Sequence, residues 1–307
     1  MILFNDYFLD SQDYILAEVS MAERLRRSNL VDLDPRLTCT KLLNDEDGRN
    51  VMAGFYRDSI NVARKFNSHI VIGTPTLQAN RERIAEANIS HNINALAGRF
   101  LKYIRAEYDS WSNNICIAGM VGSKYDEFNP EQMLTEREAI DFHEWQINML
   151  DREEMDVFIA YAQPALEEAT SLATLMAVTA TPYVISFKIN KEGKLLDGTS
   201  LQEAIDLMDH QGLKIPVGYM INCAFPSLFN LHEQPLQVQE RLIGIFADGD
   251  SFLDPNTSLE GNDTLESWGR QTRALRNQYR IPVIGGGSLD PQHLHYLAEQ
   301  MTAQTEY

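Results

Sequence analysis

Pro216-Val217-Gly218-Tyr219-Met220-Ile221-Asn222-Cys223 and Ile281-Pro282-Val283-Ile284-Gly285-Gly286-Gly287-Ser288 are the stretches on which the fold turns. Each is a short apolar run that breaks off at small or polar residues. That is the pattern of a strand buried on both faces, whose C-terminal end is free to carry chemistry. Further runs of this kind start near Ile2, His69, Ile115, Asp156, Pro182 and Leu242, and the two quoted runs start near Ile215 and Ile281. Longer amphipathic segments separate them, as expected of βα units around a parallel sheet. Eight such units in a chain of 307 residues predict one (β/α)8 barrel of the TIM type, with its functional residues at the C-terminal strand ends.

The helix signals agree. Thr135-Glu136-Arg137-Glu138 and Ser200-Leu201-Gln202-Glu203 have the form of capping boxes, in which a hydroxyl and a carboxylate satisfy orphan N–H groups reciprocally. Asp290-Pro291 reads as an N-cap followed by a first helical residue. The segment from about 11 to 67 is long for one βα unit, so an elaborated first loop is expected there, within a single domain spanning 1–307.

Composition narrows the function classes. A net charge of −18 argues against nucleic acid and against anionic membrane surfaces, because both need a cationic face. No run of 18 apolar residues occurs, so no membrane span is expected. Met1 to Asp10 contains Asp6 and Asp10 and no basic start, unlike a secretory signal. Cys39, Cys116 and Cys223 are too widely spaced for a disulfide framework, which favours the cytoplasm. The expected partner is a small-molecule ligand, and a homo-oligomer stays open.

Several strand ends, in order, carry a resemblance. Thr74-Pro75-Thr76-Leu77-Gln78-Ala79-Asn80, Ala118-Gly119-Met120-Val121-Gly122, Pro164-Ala165-Leu166-Glu167-Glu168-Ala169, Ser186-Phe187 with Asp197-Gly198-Thr199, Asn222-Cys223 and Gly285-Gly286 together resemble the homocysteine S-methyltransferase family. His143 falls where that family has Phe-His before its fourth strand. The resemblance implies a zinc-dependent barrel that transfers a methyl group to a small thiol, the metal being held by three cysteine thiolates. One comes from the position of Cys223 and two from a Gly-Gly-Cys-Cys stretch.

The departures sit at the same places. Gly287 and Ser288 stand where the family has its second and third zinc cysteines. The family's opening Asp-Gly-Gly-x-Gly-Thr is matched best by Asp6-Tyr7-Phe8-Leu9-Asp10-Ser11, whose aromatic residues should narrow the mouth. The family's Glu after strand four is expected to hold the amino group of homocysteine. Tyr161 stands there, and on this reading an aliphatic amino acid binds weakly. The family's Trp-Ser in the first loop aligns with Thr38-Cys39.

A free thiol is mostly protonated at neutral pH, and zinc with three protein ligands and one open position would hold it as thiolate. One soft ligand is too few, so no metal and no other cofactor is expected unless zinc is rebuilt with non-family ligands. Asp290, His293, His295, Asp248 and Cys39 are the residues available for that. His293 and His295, two apart on a helix, diverge. Cys223 reads as a buried thiol, His143 as a structural hydrogen-bonding residue, and the Gly285 to Ser288 loop as a tight turn rather than an anion cradle. The substrate-binding candidates are Asp6, Thr74, Thr76, Tyr161, Ser186, Asn222, Cys223, Asp248 and Gly286, with no catalytic residue assigned. The expected function is that of the family with a drifted small sulfur or amino-acid-like substrate. The alternatives are a catalytically silent ligand-binding barrel, or a lyase or hydrolase using Asp6, Asp248 and Tyr161, since one barrel supports many chemistries.

Overall fold

Strand β8, Val283–Gly285, pairs in parallel with both β7, Leu242–Ala247, and β1, Ile15–Ala17, and so closes the barrel. The computed structural model describes residues 14–18, 20–125, 128–224, 231–247, 265–286 and 291–302. The remaining strands are β2 His69–Gly73, β3 Ile115–Val121, β4 Val157–Gln163, β5 Tyr183–Lys188 and β6 Gly218–Ala224, all in sequence order around a parallel ring. This is the (β/α)8 barrel that the alternation predicts.

The first strand requires a correction. It is Ile15–Ala17, not a segment near Ile2, and it lies inside the 11–67 stretch. A strand of three residues is too short to display a period. Pairing on both sides identifies it instead: Ile15 lies opposite His69 on one edge and Val283 on the other. Asp6, Tyr7 and Phe8 therefore precede the strand that they were expected to follow, and they lie outside the described residues.

Between β1 and β2 come α1, Met21–Ser28, a 3-10 turn over Cys39–Asn44, and α2, Glu46–Lys65. The helices α3, Arg81–Glu86, and α4, Ile93–Ala106, follow β2, and α5, Glu136–Asp151, α6, Leu166–Ala177, and α7, Leu201–Asp209, follow β3, β4 and β5. Helix α8, Leu236–Arg241, follows β6, α9, Leu265–Tyr279, follows β7, and α10, Pro291–Thr302, follows β8. Thr135 and Glu138 form the full capping box at the start of α5, and Ser200 Oγ accepts from the Glu203 N–H at the start of α7.

Strand parity divides the core into two. Ile15, Ala17, Val71, Cys116, Ala118, Met120, Val157, Ile159, Val184, Met220, Phe246 and Val283 fill the barrel interior. Their neighbours, such as Leu16, Ile117, Phe158, Ile185 and Ile245, face the helices. The same parity, a consequence of the two-residue pleat, turns Tyr161 toward the axis at the C-terminal end.

Gly285 is fixed by close approach. A Cβ there would lie 2.6 Å from Ala17 Cβ and 2.7 Å from Ala17 O. The second obstacle is backbone in the seam that closes the barrel, so it cannot swing aside. Gly285→Ala should destabilise the protein by about 1–3 kcal/mol. Urea unfolding measures this, and an unchanged midpoint would show that the seam gives freely.

Candidate functional site

A cavity of about 280 Å³ opens at the C-terminal mouth. Its walls come from Ala17 and Glu18 after β1, Gly73 and Thr74 at β2, Tyr161 of β4, Phe246 of β7 and Gly286 after β8. Met21 of α1 and Thr38-Cys39 of the first loop cover it. The lining is mainly apolar, as is usual for a small-molecule site.

Three of the residues expected from sequence line this cavity, namely Thr74, Tyr161 and Gly286. Tyr161 packs against Phe246 with ring centroids 5.5 Å apart and planes at 60°. The backbone beyond it is bulged: the pairing with β5 slips between Ala160 and Gln163, and Ala162 has φ of +54°. A bulge re-aims side chains at a barrel rim, and alanine with positive φ is uncommon enough to mark a held conformation. The Gln163 side-chain amide donates to Tyr161 O at 3.1 Å and braces the turn.

Thr76, expected among the substrate-binding residues, is fully buried and does not line the cavity. Its hydroxyl donates to Met120 O at 2.7 Å, while Thr74 Oγ1 accepts from the Met120 N–H at 2.9 Å. The two hydroxyls lie 2.7 Å apart, so the pair stitches the loop after β2 to β3. Ser186 and Asn222 are also fully buried. The Ser186 hydroxyl donates to Asn222 Oδ1, and neither residue lines the cavity. Asn222 Nδ2 finds no partner among the described residues. Cys223 belongs to β6, and its side chain lies outside what is described, as do Asp6, Asp248, Gly287 and Ser288.

His143 is the structural residue it was expected to be. It is fully buried, with Nε2 2.8 Å from Glu168 Oε1, and the same oxygen accepts from the Lys124 N–H at 2.7 Å. His293 packs edge-on to Trp268 at 5.3 Å and His295 to Phe66 at 5.1 Å. They turn to different neighbours on α10, away from the cavity.

The sequence reading missed Glu18. It stands directly after Tyr14-Ile15-Leu16-Ala17, which is visible as a strand end only once β1 is placed. Its Oε2 accepts from the Gly73 N–H at 3.2 Å, whereas Oε1 is sealed from solvent without a partner among the described residues. Burial pushes the carboxyl up to about 8, against the opposing pull of the Arg24 charge and the Gly73 hydrogen bond. Arg24 is itself committed elsewhere, donating to Phe55 O at 2.7 Å and Ser59 Oγ at 3.0 Å and pairing with Asp58 at 3.3 Å.

The Cys39 thiol is pushed up to about 11, chiefly by burial. Thr38 beside it has φ of +47° and ψ of −122°, a conformation that a β-branched residue keeps only when its surroundings enforce it. Cys116, inside the barrel, is held well above its ordinary value by burial. Among the described residues, no three His, Cys, Asp or Glu side chains cluster closely enough to hold a metal ion, and no helix is long and apolar enough to cross a membrane.

A parallel eight-stranded barrel with helices between its strands and a walled cavity at its C-terminal mouth defines a (β/α)8 protein. The sequence profile of homocysteine S-methyltransferase matches residues 16–301. The chain therefore belongs to the homocysteine S-methyltransferase family. Among solved structures it is similar to the homocysteine methyltransferase MmuM from Escherichia coli in its metallated form, with 17% identity, 96% of this chain and 99% of that chain covered, and a TM-score of 0.74. The oxidised form of the same protein gives 16% identity, 97% and 99% coverage and a TM-score of 0.73. No curated protein matches the chain.

Proposed function

We propose that the cavity at the barrel mouth receives a small thiol, and that the protein transfers a methyl group to it without the family's three-cysteine zinc site. The observation that carries this reading is the cavity itself, of about 280 Å³ and formed from strand ends in a member of a thiol-methylating family. The donor set does not fit zinc. Two of the three family cysteine positions are Gly287 and Ser288. Among the described residues neither Cys39 nor Cys116 belongs to a cluster of three metal-binding side chains, and zinc needs at least three protein ligands. The protein's own residues supply shape and dryness: Tyr161 and Phe246 wall the cavity, and Glu18 places a carboxyl at its base.

An acceptor thiol beside Cys39 meets the same apolar surroundings and stays protonated in the ground state. Transfer should therefore be slow at pH 7 and faster toward pH 9. The test incubates the purified protein with homocysteine and a methylsulfonium donor carrying a ¹³C-methyl group, and follows the labelled thioether by mass spectrometry. Labelled product with substoichiometric zinc by elemental analysis is expected. About one zinc per chain, lost in Cys223→Ala, would overturn the metal-free part. Binding of the thiol without label transfer would make this a ligand-binding barrel, the reading that the neutral thiols favour next. Failure to bind any small thiol would end the proposal.

A further inference from the structure

Thr38 holds a backbone conformation that suits glycine, at the place where the first loop covers the cavity. Its φ is +47° and its ψ −122°, the region of the first central position of a type II′ turn. The Thr40 N–H closes that turn on Leu37 O at 3.0 Å. Glycine is the usual residue there, because a Cβ crowds the backbone at positive φ and branching at Cβ worsens the crowding. The surroundings enforce the conformation. Thr38 and Asp34 exchange both backbone hydrogen bonds, at 2.9 and 3.3 Å. Asp34 Oδ1 accepts from the Arg36 and Leu37 N–H groups at 2.9 and 3.0 Å, and Oδ2 accepts from Lys41 Nζ at 2.8 Å. Leu37 and Leu43 are fully buried on either side, and the Thr40 hydroxyl donates to Pro75 O. A loop tied in this way would keep its shape with glycine, at less strain. What threonine adds is a side chain at the cavity wall, a methyl group and a hydroxyl.

That hydroxyl is lightly used. The described lining holds three aliphatic hydroxyls, those of Ser20, Thr38 and Thr74. Ser20 Oγ accepts from the Glu23 N–H and caps α1. Thr74 Oγ1 accepts from the Met120 N–H and lies 2.7 Å from Thr76 Oγ1. Thr38 Oγ1 instead donates to Cys39 Sγ across 3.9 Å. Sulfur is a weak acceptor, and a hydroxyl hydrogen rotates to suit its surroundings. An acceptor that approaches more closely displaces this contact.

We propose that Thr38 is a specificity-determining residue of the cavity: its hydroxyl turns from Cys39 to donate a hydrogen bond to the sulfur of a bound small thiol. The inference rests on the reading of the cavity as a small-thiol site and names the group that recognises the sulfur. A ligand sulfur seated beside Cys39 offers the same kind of acceptor at shorter range. The bond strengthens as charge gathers on that sulfur, because a hydrogen bond to an ionised acceptor is about twice as strong as one to a neutral acceptor. Strained residues cluster at ligand-binding sites, where the surroundings hold a side chain against the preference of its own backbone.

Isothermal titration of the whole chain with homocysteine and with 2-aminobutanoate, its counterpart without the thiol, isolates the sulfur contact. Thr38→Val keeps the branched shape and removes the hydroxyl. It should weaken homocysteine about fivefold or more and leave 2-aminobutanoate unchanged. Thr38→Ser restores the hydroxyl and should return homocysteine to within about twofold of the unaltered protein. Thr38→Gly, relieved of the strain, should unfold at a higher urea concentration and yet bind homocysteine as weakly as the valine variant does. Equal weakening of both probes in Thr38→Val would reduce Thr38 to packing and overturn the inference. Homocysteine binding that Thr38→Val leaves untouched, or a urea midpoint that Thr38→Gly does not raise, would overturn it too. In each of these cases the small-thiol reading stands as long as homocysteine binds more tightly than 2-aminobutanoate. Homocysteine binding no tighter than 2-aminobutanoate in the unaltered protein would remove that reading and the inference together.

Discussion

Asp156→Ala should destabilise the barrel by about 3–5 kcal/mol, the cost of leaving a buried charge without its partner. Asp156 is 2% exposed and lies just before β4. Its Oδ2 accepts from the Ile117 N–H at 2.8 Å and from Arg105 Nη1 of α4. Its own N–H donates to Ile117 O at 3.1 Å. One carboxylate thus joins β3, β4 and α4 at the N-terminal face, the end of a barrel where side chains serve stability rather than chemistry. The Arg105 side chain is 21% exposed, so water recovers part of its solvation in the variant and the lower half of the range is expected. Urea unfolding at pH 7 measures the loss. A loss under about 1 kcal/mol would show that the ion pair contributes no more than a surface pair does. Ligand binding at the opposite face should be unchanged in the fraction that remains folded.

Glu18→Gln should act in the other direction. The folded protein holds the Glu18 proton up to about pH 8, whereas the ordinary carboxyl loses it near 4.5. Between those values the folded state binds one more proton than the unfolded chain, so stability falls as pH rises. The slope is about 1.4 kcal/mol per pH unit, level below 4.5 and above 8. Glutamine removes the titration. The two proteins should have similar stability at pH 4, and the variant should be more stable by on the order of 4–5 kcal/mol at pH 8. Denaturant unfolding at pH 4.5, 6, 7 and 8.5 would display a widening gap. A gap that stays constant across that range would mean that Glu18 is ionised in the folded protein. A group that costs stability while facing a cavity is the usual mark of a site kept for binding.

The fold was legible because burial on both faces writes itself into the chain as unbroken apolar runs. Seven of the eight strands follow from runs near His69, Ile115, Asp156, Pro182, Ile215, Leu242 and Ile281. β1 did not, because Ile15–Ala17 has only three residues and is recognisable by its partners rather than by its pattern. That one displacement carried the reading of the mouth with it. Asp6 was set at the end of the first strand, where Glu18 stands, and Glu18 was passed over.

Local sequence determined the strand ends, the capping of α5 by Thr135 and Glu138 and the structural role of His143. These depend on neighbours close in the chain, or on residue identity alone. Only the tertiary structure decided which strand-end residues meet a ligand. Thr74 and Thr76 are two residues apart and alike in chemistry, yet Thr74 lines the cavity while Thr76 is sealed against Met120 O. The Ser186 hydroxyl is spent on Asn222 Oδ1 across β5 and β6, and Glu18 owes its displaced titration to the apolar cover that folding brings over it. Burial and hydrogen-bond completion are properties of the space around a side chain, and that space is assembled from segments up to 284 residues apart, as in the bond from the Tyr14 hydroxyl to Ala298 O.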